Sequence, residues 1–231
     1  MQQIEISINP LAEFLEATES RKIKIIEEQL DPDPVRIPYY QKARASIVKS
    51  FMGNKNHELV KMAIEYIRQQ PIKKKWHISN KAGSLEALAN WMNMNLPQEL
   101  LDAKLERLTT KAKFYQLYGV LIKISPSGIF RVVIDGQKYI GAFKVHISKG
   151  KPFSNKQSAL VAQLLNLFLS GFVAEEDEIV DPRFCLCIDP FAQSVITASH
   201  KIRYDVRQLK TACSEINHIW NNSGNKNLGV A

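Results

Sequence analysis

The dipeptide Asp135-Gly136 lies between two β-rich runs, residues 129–134 and 138–148. This pair of residues between alternating apolar side chains is a strong signal of a tight β-hairpin, because both residues tolerate the positive φ angles of a two-residue turn. A third β-rich run, residues 117–124, precedes the hairpin and is separated from it by the turn sequence Ser-Pro-Ser-Gly. The three runs predict a three-stranded antiparallel meander.

Helical patterns occur on both sides of this meander. The first 113 residues contain several apolar stripes of helical period, the last of them over residues 97–113. A proline-rich linker at residues 31–34 separates two of these predicted helices. After the meander, residues 155–169 are apolar nearly all round, and we expect them to form a buried helix.

A second β-hairpin over residues 183–198 and a helix from about residue 206 to 220 complete the predicted elements. Together these elements predict an α+β fold: a helical N-terminal region followed by the meander, a buried helix, a β-hairpin and a C-terminal helix. The predicted organisation is a helical region at 1–113, an α+β domain at 114–222 and a flexible tail at 223–231.

The positive charge of the chain is concentrated in one stretch. The whole chain has 31 Lys and Arg against 23 Asp and Glu, a formal net charge of +8. Residues 51–156 contain 18 basic and 7 acidic side chains, whereas the segments before and after them are slightly negative. Clustered positive charge is the electrostatic footprint of a nucleic-acid-binding protein. The distribution therefore predicts a polyanionic partner for residues 51–156.

The first hairpin carries basic residues on one face. Side chains alternate across a strand, and a two-residue turn places Arg131 on the same face as Lys144 and His146. We expect Lys123, on the preceding strand, to point the same way. Two interpretations stay open: a solvated face of an antiparallel sheet, or a basic platform for a phosphate backbone. The opposite face is expected to be buried beneath the helix at 155–169: Phe130, Val132, Ile134, Phe143, Val145 and Ile147.

The segment after the hairpin is rich in lysine and leads into the start of a helix. Ser154 and Gln157 have the spacing of a capping box, which defines a helix N-terminus. Lys149, Lys151 and Lys156 surround this N-terminus, whose free N–H groups and dipole favour an anion. The two interpretations are an anion-binding site and an ordinary lysine-rich surface loop.

A second basic run lies earlier in the chain. Lys73, Lys74 and Lys75 precede Trp76. Phosphate-binding lysines beside an aromatic ring suit single-stranded nucleic acid, because bases stack on the ring. The alternative is a solvated loop with its tryptophan folded inward.

Cysteine usage argues against a metal site and for a reducing compartment. Cys185 and Cys187 alternate with apolar residues on a predicted strand, which is typical of small buried side chains. Cys213 and His218 would lie about 140° apart around a helix and would not converge on one zinc ion. With three cysteines, no apolar span and no signal segment, the sequence predicts a cytoplasmic protein without membrane contact.

The order helix, three meandering strands, helix and strand resembles the core of restriction-endonuclease-like nucleases. That family carries an acid on the second strand and acid-x-Lys on the third, which bind Mg²⁺ and water. The positions that match here are Asp135, in the hairpin turn, and Lys144, with Ala142 in place of the second acid. The resemblance implies a Mg²⁺-dependent phosphodiesterase with a degenerate site formed by Asp135 and Lys144.

We therefore expect a non-catalytic accessory protein that needs no cofactor and binds DNA or RNA through the basic surface within residues 51–156. A Mg²⁺-dependent nuclease on the same surface is the first alternative. A protein–protein adaptor is the second, in which the acidic loop at residues 175–178 meets the basic surface of a partner or of a second copy.

Overall fold

A computed structural model describes residues 3–31, 39–199 and 202–227, with the side chains of the last helix described from residue 207 to 222. The predicted linker, apart from its first residue, lies outside these ranges, and so does the end of the predicted tail. Among the described residues, no helix combines the length and the apolar character needed to cross a membrane.

Helices and strands are both abundant along the chain. The described helices are α1 (Ile8–Phe14), α2 (Glu19–Leu30), α3 (Gln41–Met52), α4 (His57–Gln69), α5 (Lys75–Asn93), α6 (Gln98–Asp102), α7 (Asn155–Phe172) and α8 (Ile202–Asn227). The described strands are β1 (Glu5–Ser7), β2 (Glu106–Leu108), β3 (Phe114–Leu117), β4 (Val120–Lys123), β5 (Gly128–Ile134), β6 (Gln137–Val145), β7 (Glu178–Asp189) and β8 (Ser194–Thr197). This content confirms the predicted α+β class.

The described strands form two mixed sheets. The smaller sheet has the order β1-β4-β3, in which β1 is parallel and β3 antiparallel to β4. The larger sheet has the order β2-β5-β6-β7-β8. Its central strands β6 and β7 are parallel and are connected by α7, as a crossover between parallel strands requires. Its other neighbouring strands are antiparallel.

The predicted hairpin is confirmed in both turn and register. Asp135 and Gly136 have positive φ angles of 51° and 81°, and Ile134 pairs with Gln137 across the turn. Odd-numbered residues of β5 consequently pair with even-numbered residues of β6. The faces of both strands are therefore those that the alternation of the sequence predicts.

The meander, in contrast, is only partly formed. The predicted first strand, residues 117–124, corresponds to β4, which pairs with β1 and β3 in the smaller sheet and not with β5. The position beside β5 is taken by β2. The prediction of a helix over residues 97–113 is accordingly wrong: α6 ends at Asp102, because pairing with β5 outweighs the local helical pattern.

Both faces of the larger sheet are covered by helices. Helices α3, α4 and α5 cover one face, where the Phe51 ring stacks on Phe143 with ring centroids 3.9 Å apart. Helix α7 covers the other face, which includes Ile140, Ala142 and Cys187. The buried set predicted for the hairpin is therefore buried, except that Ile134 is half-buried, but it lies against the N-terminal helices and not beneath α7.

The predicted helical and α+β regions both contribute to each sheet. Strands β1 and β2 belong to the predicted helical region, and they pair with β4 and β5 of the predicted α+β domain. The division near residue 113 stays a prediction. Helix α8 continues into the predicted tail, as far as Asn227.

Strands β6 and β7 approach each other closely at Gly141, so a substitution there tests how the sheet is packed. The register between β6 and β7 shifts at this residue. A Cβ atom on Gly141 would lie 2.4 Å from the Phe130 ring and 2.5 Å from the carbonyl oxygen of Phe184. The second of these neighbours is backbone in the middle of a sheet, so it cannot move aside without breaking strand hydrogen bonds.

Gly141→Ala is expected to lower the free energy of unfolding by about 1–3 kcal/mol through overpacking. Gly150→Ala is the matched control, because a Cβ at Gly150 meets nothing within 4 Å, and it should change stability by less than about 0.5 kcal/mol. Urea denaturation of both variants measures the difference. Equal stability of the two variants would contradict the described register.

Candidate functional site

Two adjoining cavities open where β6 ends. One has a volume of about 950 Å³ and the other of about 650 Å³. They share part of their wall, including Asn9, Arg44 and the backbone around Ser148. We call them together the basic cleft, because their linings contain five cationic side chains against two carboxylates, Glu13 and Glu28. The cationic side chains are Arg21, Arg44, Lys144, Lys149 and Lys151.

Lys144 is the most unusual cation of the cleft. It lies near the end of β6, and its Nζ donates a hydrogen bond to the backbone carbonyl of Ser125, an uncharged acceptor. Burial of the side chain lowers the pKa of Lys144 to about 8, and the positive charge of Arg44 lowers it further in the same direction. The fold therefore holds Lys144 near a second cation at a half-buried position of the cavity wall.

The buried carboxylate of Asp189 stabilises the part of the cleft next to Lys144. Asp189 is fully buried at the end of β7 and accepts hydrogen bonds from the backbone N–H groups of Phe153, at 2.7 Å, and of Phe191, at 2.9 Å. The His146 ring stacks on the Phe153 ring at 3.5 Å, and His146 Nε2 lies 3.1 Å from the Lys151 carbonyl oxygen. These contacts fix the loop at residues 146–153 over the cleft.

His146 contributes an aromatic ring more than a charge. Burial lowers the pKa of His146, and Arg44 and Lys144 lower it further, while Asp189 acts in the opposite direction. A lowered pKa keeps the imidazole neutral at physiological pH. The Nε2 hydrogen is then available to the carbonyl of Lys151.

Three other cations of the cleft, Arg21, Lys149 and Lys151, are paired with carboxylates. Lys149 Nζ lies 2.6 Å from a Glu86 oxygen, and Lys151 Nζ lies 2.9 Å from a Glu13 oxygen. Arg21 also binds Glu13, and its hydrogen bond is the main cause that lowers the pKa of Glu13 to about 2. The side chains of Lys149 and Lys151 are largely exposed to solvent, so their pairs contribute little to stability and can be exchanged for other anions.

The basic run at Lys73–Lys75 lies beside the cleft. Trp76, in the first turn of α5, contacts Tyr39 with ring centroids 5.7 Å apart, and Tyr39 lines the smaller cavity of the cleft. The side chains of Lys73, Lys74 and Lys75 are exposed. The contact between Trp76 and Tyr39 thus connects the basic run at residues 73–75 to the basic cleft, although the two are far apart in the sequence.

Arg131 and Lys123 lie elsewhere. Arg131 shares a face with Lys144, as predicted, but it pairs with Ile140 and so lies about 14 Å from Lys144 along the strand. Its guanidinium forms ion pairs with the carboxylates of Glu106, Glu175 and Glu178. These contacts neutralise Arg131 outside the cleft.

The expectation that Lys123 shares the face of the hairpin is wrong, because β4 does not belong to the same sheet as β5. Lys123 is exposed there, with its Nζ 3.9 Å from a Glu5 oxygen.

The capping box at Ser154 and Gln157 is confirmed. The Ser154 side chain accepts from the Gln157 N–H, and the Gln157 side chain accepts from the Ser154 N–H. The Ser154 hydroxyl donates to a carboxylate oxygen of Glu16, so an anionic group of the chain itself already lies at this helix N-terminus. Lys156 lines a separate cavity of about 330 Å³, together with Arg207.

Asp135 and Lys144 are at opposite ends of β6. The strand between them is about 20–25 Å long, and Asp135 is exposed in the turn. Ala142, at the position of the second acid in the nuclease pattern, is fully buried. Within the described residues, no group of three or more His, Cys, Asp or Glu side chains is placed to hold a metal ion.

The three cysteines are free and buried. Burial raises the pKa of Cys185 and of Cys187 to about 12 and that of Cys213 to about 11. Thiols of this kind are unreactive at neutral pH.

Sequence reasoning missed four residues of the cleft. Arg44 and Arg21 lie on helices whose patterns give no sign that they approach β6. Tyr39 and Tyr40 could have been predicted from the sequence. They are an aromatic pair followed by Lys42 and Arg44, which resembles the combination of basic and aromatic residues at 73–76.

Comparison of the chain with protein-family models, with curated proteins and with solved structures finds no match.

The charge of Lys144 lowers the free energy of unfolding, and a substitution can measure by how much. Lys144→Gln is expected to raise the free energy of unfolding at pH 7 by about 1–2 kcal/mol. Because the pKa of Lys144 is lowered from 10.5 to about 8, the charged side chain destabilises the folded protein by about 3 kcal/mol. The substitution removes this destabilisation, but it also removes the hydrogen bond to Ser125, which offsets about 1 kcal/mol of the gain.

The gain should shrink as the pH rises from 8 to 10, because the folded wild-type protein then releases the Lys144 proton while the unfolded chain keeps it. Urea denaturation at pH 7 and pH 10 measures both values. Lys61→Gln, at an exposed position of α4, serves as control and should change stability by less than about 0.5 kcal/mol. A loss of stability on Lys144→Gln at pH 7 would contradict this description of Lys144.

Proposed function

We propose that the protein is a non-catalytic accessory protein that binds nucleic acid, with the phosphate backbone lying in the basic cleft. The observation that carries the proposal is the placement of Lys144, a half-buried cation beside Arg44 that is hydrogen-bonded to a neutral carbonyl. Holding two like charges near each other at half-buried positions destabilises the folded protein. A phosphate group bound between them would offset that cost.

The distribution of charge favours a ligand with several phosphates. Arg21 and Lys151 line the larger cavity, and Lys144 and Lys149 line the smaller one, while Arg44 belongs to both. Cations are therefore spaced along the whole cleft. The exposed lysines at residues 73–75 extend the positive surface past the rim. Several phosphate contacts in sequence are typical of nucleic-acid backbones.

The distance between Asp135 and Lys144 is our reason for proposing binding without catalysis. The nuclease alternative requires its carboxylates and lysine around one metal ion, and here the single candidate acid lies at the far end of β6. The adaptor alternative has little support, since three carboxylates of the acidic loop already pair with Arg131 and Lys138. Buried free thiols support a proposed location in the cytoplasm.

Fluorescence anisotropy with labelled oligonucleotides tests the proposal. The wild-type protein should bind, and Arg44→Gln, Lys144→Gln and Lys149→Gln should each weaken binding to all sequences alike, because phosphate contacts carry no sequence information. Each substitution should also reduce the slope of log affinity against log salt by about 0.7 for single strands or about 0.9 for duplex.

Lys61→Gln removes an exposed charge from α4 and is the matched control, which should leave affinity unchanged. Circular dichroism establishes that each variant is folded. Wild-type affinity in a variant that combines all three cleft substitutions would refute the cleft as the binding site.

The pH dependence of binding is a separate prediction. A bound phosphate favours the charged form of Lys144, so binding above pH 8 requires uptake of a proton and affinity should fall between pH 8 and pH 9.5. Lys144→Arg keeps the charge and should bind with a nearly flat profile over this range. The same fall in the Lys144→Arg variant would assign the dependence to another group.

A further inference from the structure

Another cavity lies close to the basic cleft, between helices α3, α4 and α5. It has a volume of about 240 Å³. Its lining combines the ring of Trp76 with three side-chain amides, Gln41, Gln70 and Asn80. We call it the amide pocket. Two lysines, Lys42 and Lys81, also line this pocket, so it differs from the cleft in its aromatic ring and amides and not in lacking positive charge.

The amide pocket and the cleft are joined by two contacts. Trp76 lines the pocket and Tyr39 lines the cleft, and their rings meet edge to face with centroids 5.7 Å apart. Asn80 of the pocket accepts a hydrogen bond of 2.7 Å from the backbone N–H of Tyr40, which also lines the cleft. A ligand in the cleft can therefore reach the pocket past the two tyrosines.

The size and chemistry of the amide pocket suit a single nucleobase. Its volume is below the range of about 300–1,000 Å³ that is usual for pockets of larger ligands. An aromatic ring provides a stacking surface for any base, and the Gln41 amide and the Asn80 amide nitrogen can bond the polar edge of a base. The Asn80 oxygen and the Gln70 amide already form hydrogen bonds within the protein. A base can enter such a pocket only when it is not paired in a duplex.

We propose that the ligand is single-stranded nucleic acid, with one base in the amide pocket against Trp76 and the neighbouring phosphates in the basic cleft. This inference rests on the proposed function, since it needs a strand in the cleft. The exposed lysines at residues 73–75 immediately precede Trp76 and lie where the backbone passes from cleft to pocket.

Tryptophan fluorescence can report on this contact. The chain has three tryptophans, of which Trp91 is fully buried and Trp220 is 7 % exposed, whereas Trp76 is half-buried at a cavity wall. The probes are DNA and RNA strands of about 12 nucleotides, the matching DNA duplex, and a DNA strand of equal length in which every nucleotide is abasic. The abasic strand keeps the phosphates and lacks the bases.

The single strands are expected to quench tryptophan fluorescence and to bind at least about tenfold more tightly than the duplex or the abasic strand. Trp76→Leu should weaken binding of the single strands about tenfold and abolish the quenching, while Trp76→Phe, which keeps a stacking ring, should stay within about threefold of the wild type. Ile78→Ala, at a neighbouring exposed position of α5, is the control and should change neither signal.

The outcomes separate this inference from the proposed function. Equal affinity for the single strand, the duplex and the abasic strand, without quenching, would overturn the base pocket and leave phosphate binding in the cleft standing. Quenching that persists in Trp76→Leu would also overturn the inference. If no probe binds to the wild-type protein, the proposed function fails and the inference fails with it.

Discussion

Burial of the larger sheet on both faces is the constraint on which the rest of the structure depends. Helices α3, α4 and α5 pack on one face, α7 packs on the other, and the strands between them contribute fully buried apolar side chains to both faces. Lys144, His146 and Asp189 all lie where the parallel strands β6 and β7 end, and the basic cleft opens there because no helix covers that edge completely. Outside the carboxyl ends of parallel strands is also where sheets of this kind commonly bind ligands.

Pairing within the chain explains why the large positive charge of residues 51–156 does not form one uniform surface. Arg131 lies among glutamates, and Lys149 and Lys151 have carboxylate partners at hydrogen-bond distance. Lys144 differs from these residues because its partner is a neutral carbonyl and the nearby charge that shifts its pKa most is another cation. A cation that lowers stability at a cavity wall suits a binding site, because a bound anion would compensate its charge.

The sequence supported the fold class and the hairpin well, since Asp135-Gly136 determines the turn and the turn determines the register. Alternation along a strand could not indicate which helix covers which face, because both faces are apolar at the centre of the sheet. The helical pattern at residues 97–113 failed for a related reason, as only the tertiary fold shows that the edge of β5 needs a partner strand. Arg44 could not be placed in the site from sequence, because its approach to Lys144 depends on the packing of α3 beside β6.

We propose that phosphates bind in the cleft between α3 and the loop that follows β6. A two-dimensional ¹H–¹⁵N NMR titration of the whole protein with a single-stranded oligonucleotide tests this claim most directly, because it maps the binding site without altering any residue. We expect the largest chemical-shift changes at residues 39–44 and 144–151, together with residues 73–77 beside them. Changes confined to the surroundings of Arg131 or to β4, with the cleft residues unmoved, would contradict it.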